Sequence, residues 1–204
     1  MNIGIVHNVP LTVEIIKRLA HGARYRVAWV ADSISQALQR CTDEPVSVII
    51  MSLDMPDQDG VEATCLIMKT SPCAILLISD DVEENMPRIF EAMGCGALDA
   101  IGTPRLAGDG TIDGAEALVN KLGTLQKLTR KGSTGALPKY AHRELPSLIV
   151  IGSSTGGPRA LADVLGSVSC NLPAAVVVIQ HVDAQFAGGL ADWLPSVRAL
   201  AELR

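Results

Sequence analysis

Val46-Ser47-Val48-Ile49-Ile50-Met51-Ser52-Leu53-Asp54-Met55-Pro56-Asp57-Gln58-Asp59-Gly60 passes from a short apolar run into a loop of Asp, Pro and Gly. Runs of this length, rich in Val and Ile without polar alternation, read as strands covered on both faces, which is the habit of parallel sheets. Residues 61–68 then show the 3.6-residue periodicity of an amphipathic helix. The same alternation extends in both directions. Strands are predicted over residues 3–6, 26–30, 74–79 and 98–101, with helices over 11–20, 34–41, 83–93 and 114–131. Ser33 with Gln36 three residues later is a capping box that opens one of these helices. Five strand–helix units predict an α/β fold, a doubly wound parallel sheet of flavodoxin-like type with right-handed crossovers.

Beyond this block the composition changes. Residues 131–146 are Lys, Gly, Ser, Thr, Pro, His and Arg with few large apolar side chains, which predicts a linker between domains at 1–130 and 147–204. The pattern then restarts with a strand over 148–151, a helix from Pro158, a strand over 174–180 and a helix near 186–194. The chain has 204 residues, 48% apolar and 19% charged, so it can build cores and is not globally disordered. Its net charge of −5 and six scattered aromatics provide neither a basic stripe nor a stacking platform, which argues against nucleic-acid binding. The longest apolar runs, such as 172–179, fall short of a membrane span, and no basic region precedes the first strand. These features predict a cytoplasmic protein without membrane insertion. Five cysteines, odd in number and never in a CxxC pair, predict reduced thiols and no zinc site.

In an open parallel sheet, chemistry collects at the carboxyl ends of the strands. The residues there are His7 and Asn8, Ser52, Ser79, and Thr103 before Pro104. The segment 52–60, with Met55-Pro56 and Asp59-Gly60, resembles the loop of response-regulator receiver domains, and the likeness covers residues 1 to about 128. It implies a phosphorylation pocket whose parts this chain has replaced. His7 and Asn8 stand where the family has magnesium-binding acids, Ser52 where it has the phospho-acceptor aspartate, and Thr103 where it has a lysine. Only Ser79 matches, at the place of the hydroxyl that senses the phosphoryl group. Magnesium needs anionic oxygen ligands, so no metal is expected; strand alternation puts Asp54 on the same side as Ser52, but ~6–7 Å further along, out of register as a substitute acceptor. The expectation is a degenerate receiver kept for structure or docking.

A second constellation is Gly152-Ser153-Ser154-Thr155-Gly156-Gly157-Pro158, a G-x-S-x-G turn between a strand and a helix. Its glycines permit a tight turn, Pro158 suits the first helical position, and Ser154 is expected near helix amides able to hold an oxyanion. His181 closes the next strand. On spacing alone the turn reads equally as an anion site for a nucleotide phosphate, and the histidine as structural. Residues 151–158 followed by Gln180-His181-Val182 are similar to the start of the catalytic domain of chemotaxis protein-glutamate methylesterases, which carry it behind a receiver and a linker. The resemblance implies hydrolysis of glutamate methyl esters on chemoreceptors, with glutamine deamidation as a second activity and no cofactor. It matches Ser154 to the nucleophile, His181 to the general base and Thr155 to a supporting position. Methylated receptor cytoplasmic domains and a chemotaxis-type histidine kinase are the implied partners. The family's orienting aspartate lies in a later Gly-x-Asp-Gly segment, which these 204 residues lack, so a truncated catalytic domain is expected, with Asp163 and Asp183 as unsupported substitutes. The rival expectation is a non-catalytic adaptor that docks signalling partners through the receiver.

Overall fold

The computed structural model describes residues 1–55, 59–130, 147–168 and 172–201. In chain order its first part is β1 (Asn2–Val6), α1 (Pro10–Gly22), β2 (Arg26–Ala31), α2 (Ile34–Asp43), β3 (Val48–Ser52), α3 (Gly60–Thr70), β4 (Ala74–Ser79), α4 (Met86–Cys95), β5 (Asp99–Gly102), a hairpin of β6 (Arg105–Leu106) and β7 (Ile112–Asp113), and α5 (Ala115–Arg130). The main sheet has the order β2-β1-β3-β4-β5 with every pair parallel, which is the doubly wound topology. Its central strands are sealed: all residues of β3 and β4 are buried. One side of the sheet packs Ile3, Ile5, Val48, Ile50, Leu76 and Ile78 under α1 and α5. The other packs Ile49, Met51, Ile75 and Leu77 under α2, α3 and α4.

Local signals explain most element ends. Ser33 caps α2 through the Gln36 amide at 3.4 Å, while the Gln36 side chain returns to the Asp32 amide at 3.2 Å, one residue earlier than a capping box requires. The helix predicted from residue 83 starts only at Met86. Asp81 accepts the Glu84 amide at 2.9 Å and makes residues 81–85 a turn, after which Pro87 suits the first turn of α4. The two-residue strands of the hairpin are too short to carry a periodic signal.

The second part comprises β8 (Ser147–Ser153), α6 (Gly157–Ser167), β9 (Ala174–Gln180) and α7 (Ala184–Ala201), with β8 and β9 paired in parallel along their whole lengths. The proposed linker, 131–146, lies outside the described residues. α7 seats on the first part: Phe186 and Leu190 are buried in the same cluster as Phe90 and Met93 of α4. The Phe90 ring meets Phe186 edge-on at 6.5 Å and stacks on Trp193 at 5.7 Å. α7 runs on through Pro195, well past the expected end.

Two expectations fail. β8 and β9, read as covered on both faces, leave Leu148 61% and Ile179 60% exposed, with Val150 and Val177 also open, because α6 and α7 turn toward α4 rather than spread over the strands. Cys65 on α3 and Cys95 on α4 form a disulfide where free thiols were expected. The adjacency of the two helices brings their Cα atoms to 4.8 Å, a closeness invisible in a 30-residue separation. Cys41 and Cys73 are free, and Cys170 lies outside the described residues. Among the described residues no helix is long and apolar enough to cross a membrane.

Candidate active site and receiver pocket

The parallel pairing of β8 with β9 sets Ser153 opposite Gln180, so the two chain ends leave the sheet together. The His181 amide donates to the Ser153 carbonyl at 2.8 Å and continues that alignment one residue further. As a result Ser154 Oγ and His181 Nδ1 lie 3.3 Å apart, although 27 residues separate them in sequence. Gln180 braces the turn. Its Oε1 accepts from Ser153 Oγ, and its Nε2 donates to the carbonyls of Ser154 at 2.8 Å and His181 at 3.1 Å.

The glycines divide their work unevenly. Gly156 adopts the left-handed conformation (φ 77°) as the cap of α6. At Gly157 a Cβ would collide with the Gln180 side chain, whereas at Gly152 it would meet open space. The turn therefore places its unusual backbone two residues after Ser154, unlike an elbow that strains the nucleophile itself. The expected anion-binding amides are also committed, since Gly157 N donates to the Ser154 carbonyl at 2.6 Å and Gly156 N to the Leu98 carbonyl, just before β5, at 2.9 Å.

Residues of the first part thus border the site. Asp99 Oδ2 accepts from Thr155 Oγ1 at 3.5 Å and pairs with Lys121 Nζ at 3.0 Å; Lys121 also reaches Asp183 at 3.7 Å. Asp163 pairs with Arg159 at 3.0 Å. Neither substitute acid is on the imidazole, and among the described residues no carboxylate hydrogen-bonds His181. Asp99 and Lys121 had no sequence signal, for Thr155 lies 56 residues from Asp99.

At the carboxyl end of the main sheet His7, Ser52 and Ser79 are buried, Asn8 is exposed and Thr103 is half-buried. His7 Nδ1 accepts the Val9 amide at 3.0 Å, and burial holds the imidazole below its ordinary pKa against the opposing pull of Asp80. Asp80 is exposed enough to pair with Arg105 at 3.2 Å. Burial alone would raise its carboxyl, but hydrogen bonds from Thr103 and Arg105 bring it below the usual range. Ser52 Oγ accepts the Asp54 amide at 3.2 Å.

Asp54 comes closer to the pocket than register predicts, because Ser79 Oγ donates to its Oδ2 at 3.2 Å. Its carboxylate is nonetheless saturated. Asn85 Nδ2 donates to both oxygens at 3.3 Å and Arg88 Nη1 to Oδ1 at 3.0 Å, while Arg88 Nη2 takes Asp59 at 3.1 Å and the Leu53 carbonyl at 3.3 Å. The Arg88 guanidinium already neutralises the negative charge that Asp54 would offer to a cation, and His7, Asn8 and Ser52 carry no carboxylate. These residues do not fit magnesium. Among the described residues no group of three or more His, Cys, Asp or Glu could hold a metal.

Comparison with known proteins agrees with both halves. Residues 3–105 match the response regulator receiver domain and residues 149–201 the CheB methylesterase. The chain is 42% identical over 205 residues to protein-glutamate methylesterase/protein-glutamine glutaminase 2 of Pseudomonas syringae pv. syringae (strain B728a), covering 98% of this chain and 61% of that protein. It is 44% identical over 198 residues to protein-glutamate methylesterase/protein-glutamine glutaminase 3 of Burkholderia orbicola (strain AU 1054), covering 95% of this chain and 58% of that protein. The chain therefore spans about three-fifths of the length of these relatives. Among solved structures, the response regulator domain of Thermotoga maritima CheB superposes with a TM-score of 0.54 at 21% identity, covering 65% of this chain and 98% of that one, which supports the receiver fold.

Proposed function

From a chain that belongs to the response regulators carrying a CheB methylesterase region behind the receiver, we infer that Ser154 and His181 are the nucleophile and general base of an ester hydrolase acting on glutamate methyl esters. The observation that carries this reading is the 3.3 Å approach of Ser154 Oγ to His181 Nδ1, a spacing suited to an unliganded site. Ser154 Oγ attacks the ester carbonyl as His181 takes its proton. The tetrahedral intermediate collapses, His181 returns the proton to the departing methoxide, and methanol leaves a glutamyl-serine ester. Water then gives its proton to His181 and attacks the ester, which restores the serine and frees the carboxylate. The same sequence on a glutamine side chain releases ammonia. Thr155 supports the nucleophile from the receiver side through Asp99. The substrate is the methylated cytoplasmic domain of a chemoreceptor, and a chemotaxis-type histidine kinase is the signalling partner. The domains that carry these roles are 1–130 and 147–204, joined by 131–146.

A carboxylate behind the imidazole selects its tautomer and supports its charged form, and its loss from a well-studied serine triad lowers turnover by ~10⁴. No such group is bonded to His181 among the described residues. Methanol release by the 204-residue chain is accordingly expected to match that of Ser154→Ala, while a reactive fluorophosphonate, which bypasses the slow step, labels Ser154. Mass spectrometry should find one adduct on Ser154, none on Ser154→Ala, and labelling slowed by ~10² in His181→Ala. Absence of the adduct would overturn the catalytic reading. The adaptor reading, favoured by the saturated Asp54 and by Lys121 holding Asp183 off the histidine, would then take its place.

A further inference from the structure

At the amino end of the main sheet, away from the pocket at the carboxyl ends and on the edge strand β2 across the sheet from β5, a cavity of about 780 Å³ where α1 ends and β2 begins is lined by Lys17, His21, Arg24, Tyr25, Arg26 and Val27, with Gly22 at its edge. Net charge hides this feature. Four of the chain's 17 lysines and arginines stand at positions 17, 18, 24 and 26, and no acidic residue lies between Glu14 and Asp32, which leaves 13 basic against 22 acidic residues elsewhere. The sequence argument against a basic stripe thus describes the chain as a whole but not this corner.

Helix-end electrostatics accounts for part of the cluster. Cations in the last turn offset the negative end of the macrodipole, and His21 suits that role, but Lys17 stands a turn earlier. Arg24 and Arg26 lie beyond the helix, and Arg26 already belongs to β2. Lys17 pairs with Glu14 at 2.7 Å and Arg26 with Glu44 at 3.2 Å, but each pair is exposed and readily exchanged for a stronger anion.

Arg24 supplies the independent observation. It is the one non-glycine residue with positive φ among the described residues (φ 61°). Its amide donates to the His21 carbonyl at 2.9 Å, and the Tyr25 amide to Ala20 at 2.8 Å, so residue 24 closes the helix in the left-handed position that glycine or asparagine ordinarily fills. An arginine there costs backbone strain and gains nothing in packing, for its side chain is exposed.

We propose that this cavity binds a nucleotide bearing at least two phosphates, with Arg24, Arg26 and Lys17 on the phosphates and the base against Tyr25 and Val27. Guanidinium forks match phosphate oxygens two at a time, so two arginines and a lysine exceed the need of one phosphate. The aromatic ring and the valine give the base an apolar wall in a cavity of ligand size.

Titration of the full chain with ADP, inorganic pyrophosphate and phosphatidylglycerol vesicles tests this at about 0.15 M salt, where purely diffuse attraction is screened. ADP should saturate with a dissociation constant below about 100 μM, and pyrophosphate should bind at least ~10-fold more weakly. Arg24→Gly should weaken ADP at least ~10-fold while holding or raising the melting temperature by about 2–4 °C, since glycine relieves the strain. Arg26→Gln should also weaken ADP. Binding of vesicles alone, equal binding of pyrophosphate and ADP, unchanged binding by Arg24→Gly, or no binding would each overturn the proposal.

Discussion

His7 stands where a receiver would place a metal-binding acid, and the chain has adapted the position to a neutral ring. Burial lowers its pKa from the ordinary 6.5, with Asp80 opposing, so the unfolded chain takes up a proton before the folded one does. In the window between that lowered value and 6.5 stability must fall as pH falls, and above 6.5 the residue is without effect. Urea unfolding should therefore show a midpoint that is flat from about pH 8 to 6.5 and declines toward pH 5. His7→Asn, which retains an acceptor for the Val9 amide, should flatten the decline. A decline that persists unchanged in the variant would assign it to other groups.

At the scale of elements, α4 is the junction between the two parts of the molecule. One end of it holds Leu53, Asp54 and Asp59 through Arg88, and its flank carries Phe90, which is 1% exposed and stacked on Trp193 of α7. Phe90→Ala should cost ~3–5 kcal/mol of stability, the range for a buried aromatic, and should shift Trp193 emission to the red as α7 loses its seat. Unshifted emission with the same loss of stability would confine the ring's role to the receiver core. Most elements were legible in the sequence because burial on both faces leaves unbroken Val, Ile and Leu runs in β1, β3 and β4, and helix faces keep their period. Ser154 and His181 were legible because each directly follows the end of a strand, and parallel neighbours present their ends together. The partners that cross between the parts were not. Asp99, Lys121, Leu98 and Phe90 meet the second region through the docking of α4 and β5, which no local period encodes, and the Cys65–Cys95 bond is hidden in the same way.

For the molecule as a whole, β8 and β9 form a two-stranded parallel sheet whose apolar side chains face solvent. Parallel sheets ordinarily carry cover on both faces, and uncovered apolar strands with free edges promote association. The chain should bind a hydrophobic dye and scatter light increasingly with concentration. Val150 and Val177 are opposite one another in the register, so Val150→Lys with Val177→Glu places a cross-strand ion pair on the open face. The double variant should lose most of the dye signal and keep its melting temperature within about 3 °C. Equal dye binding by the variant would point to another surface.

The seat of α7 also imposes an order on synthesis. Every receiver element precedes residue 130, yet the ring that covers Phe90 arrives only with Trp193, 63 residues later. At ordinary elongation rates that interval is roughly 3–13 s, during which Phe90 lacks the ring that stacks on it. The nascent chain thus carries a timed window of stickiness, a natural point of capture for chaperones that scan emerging polypeptides.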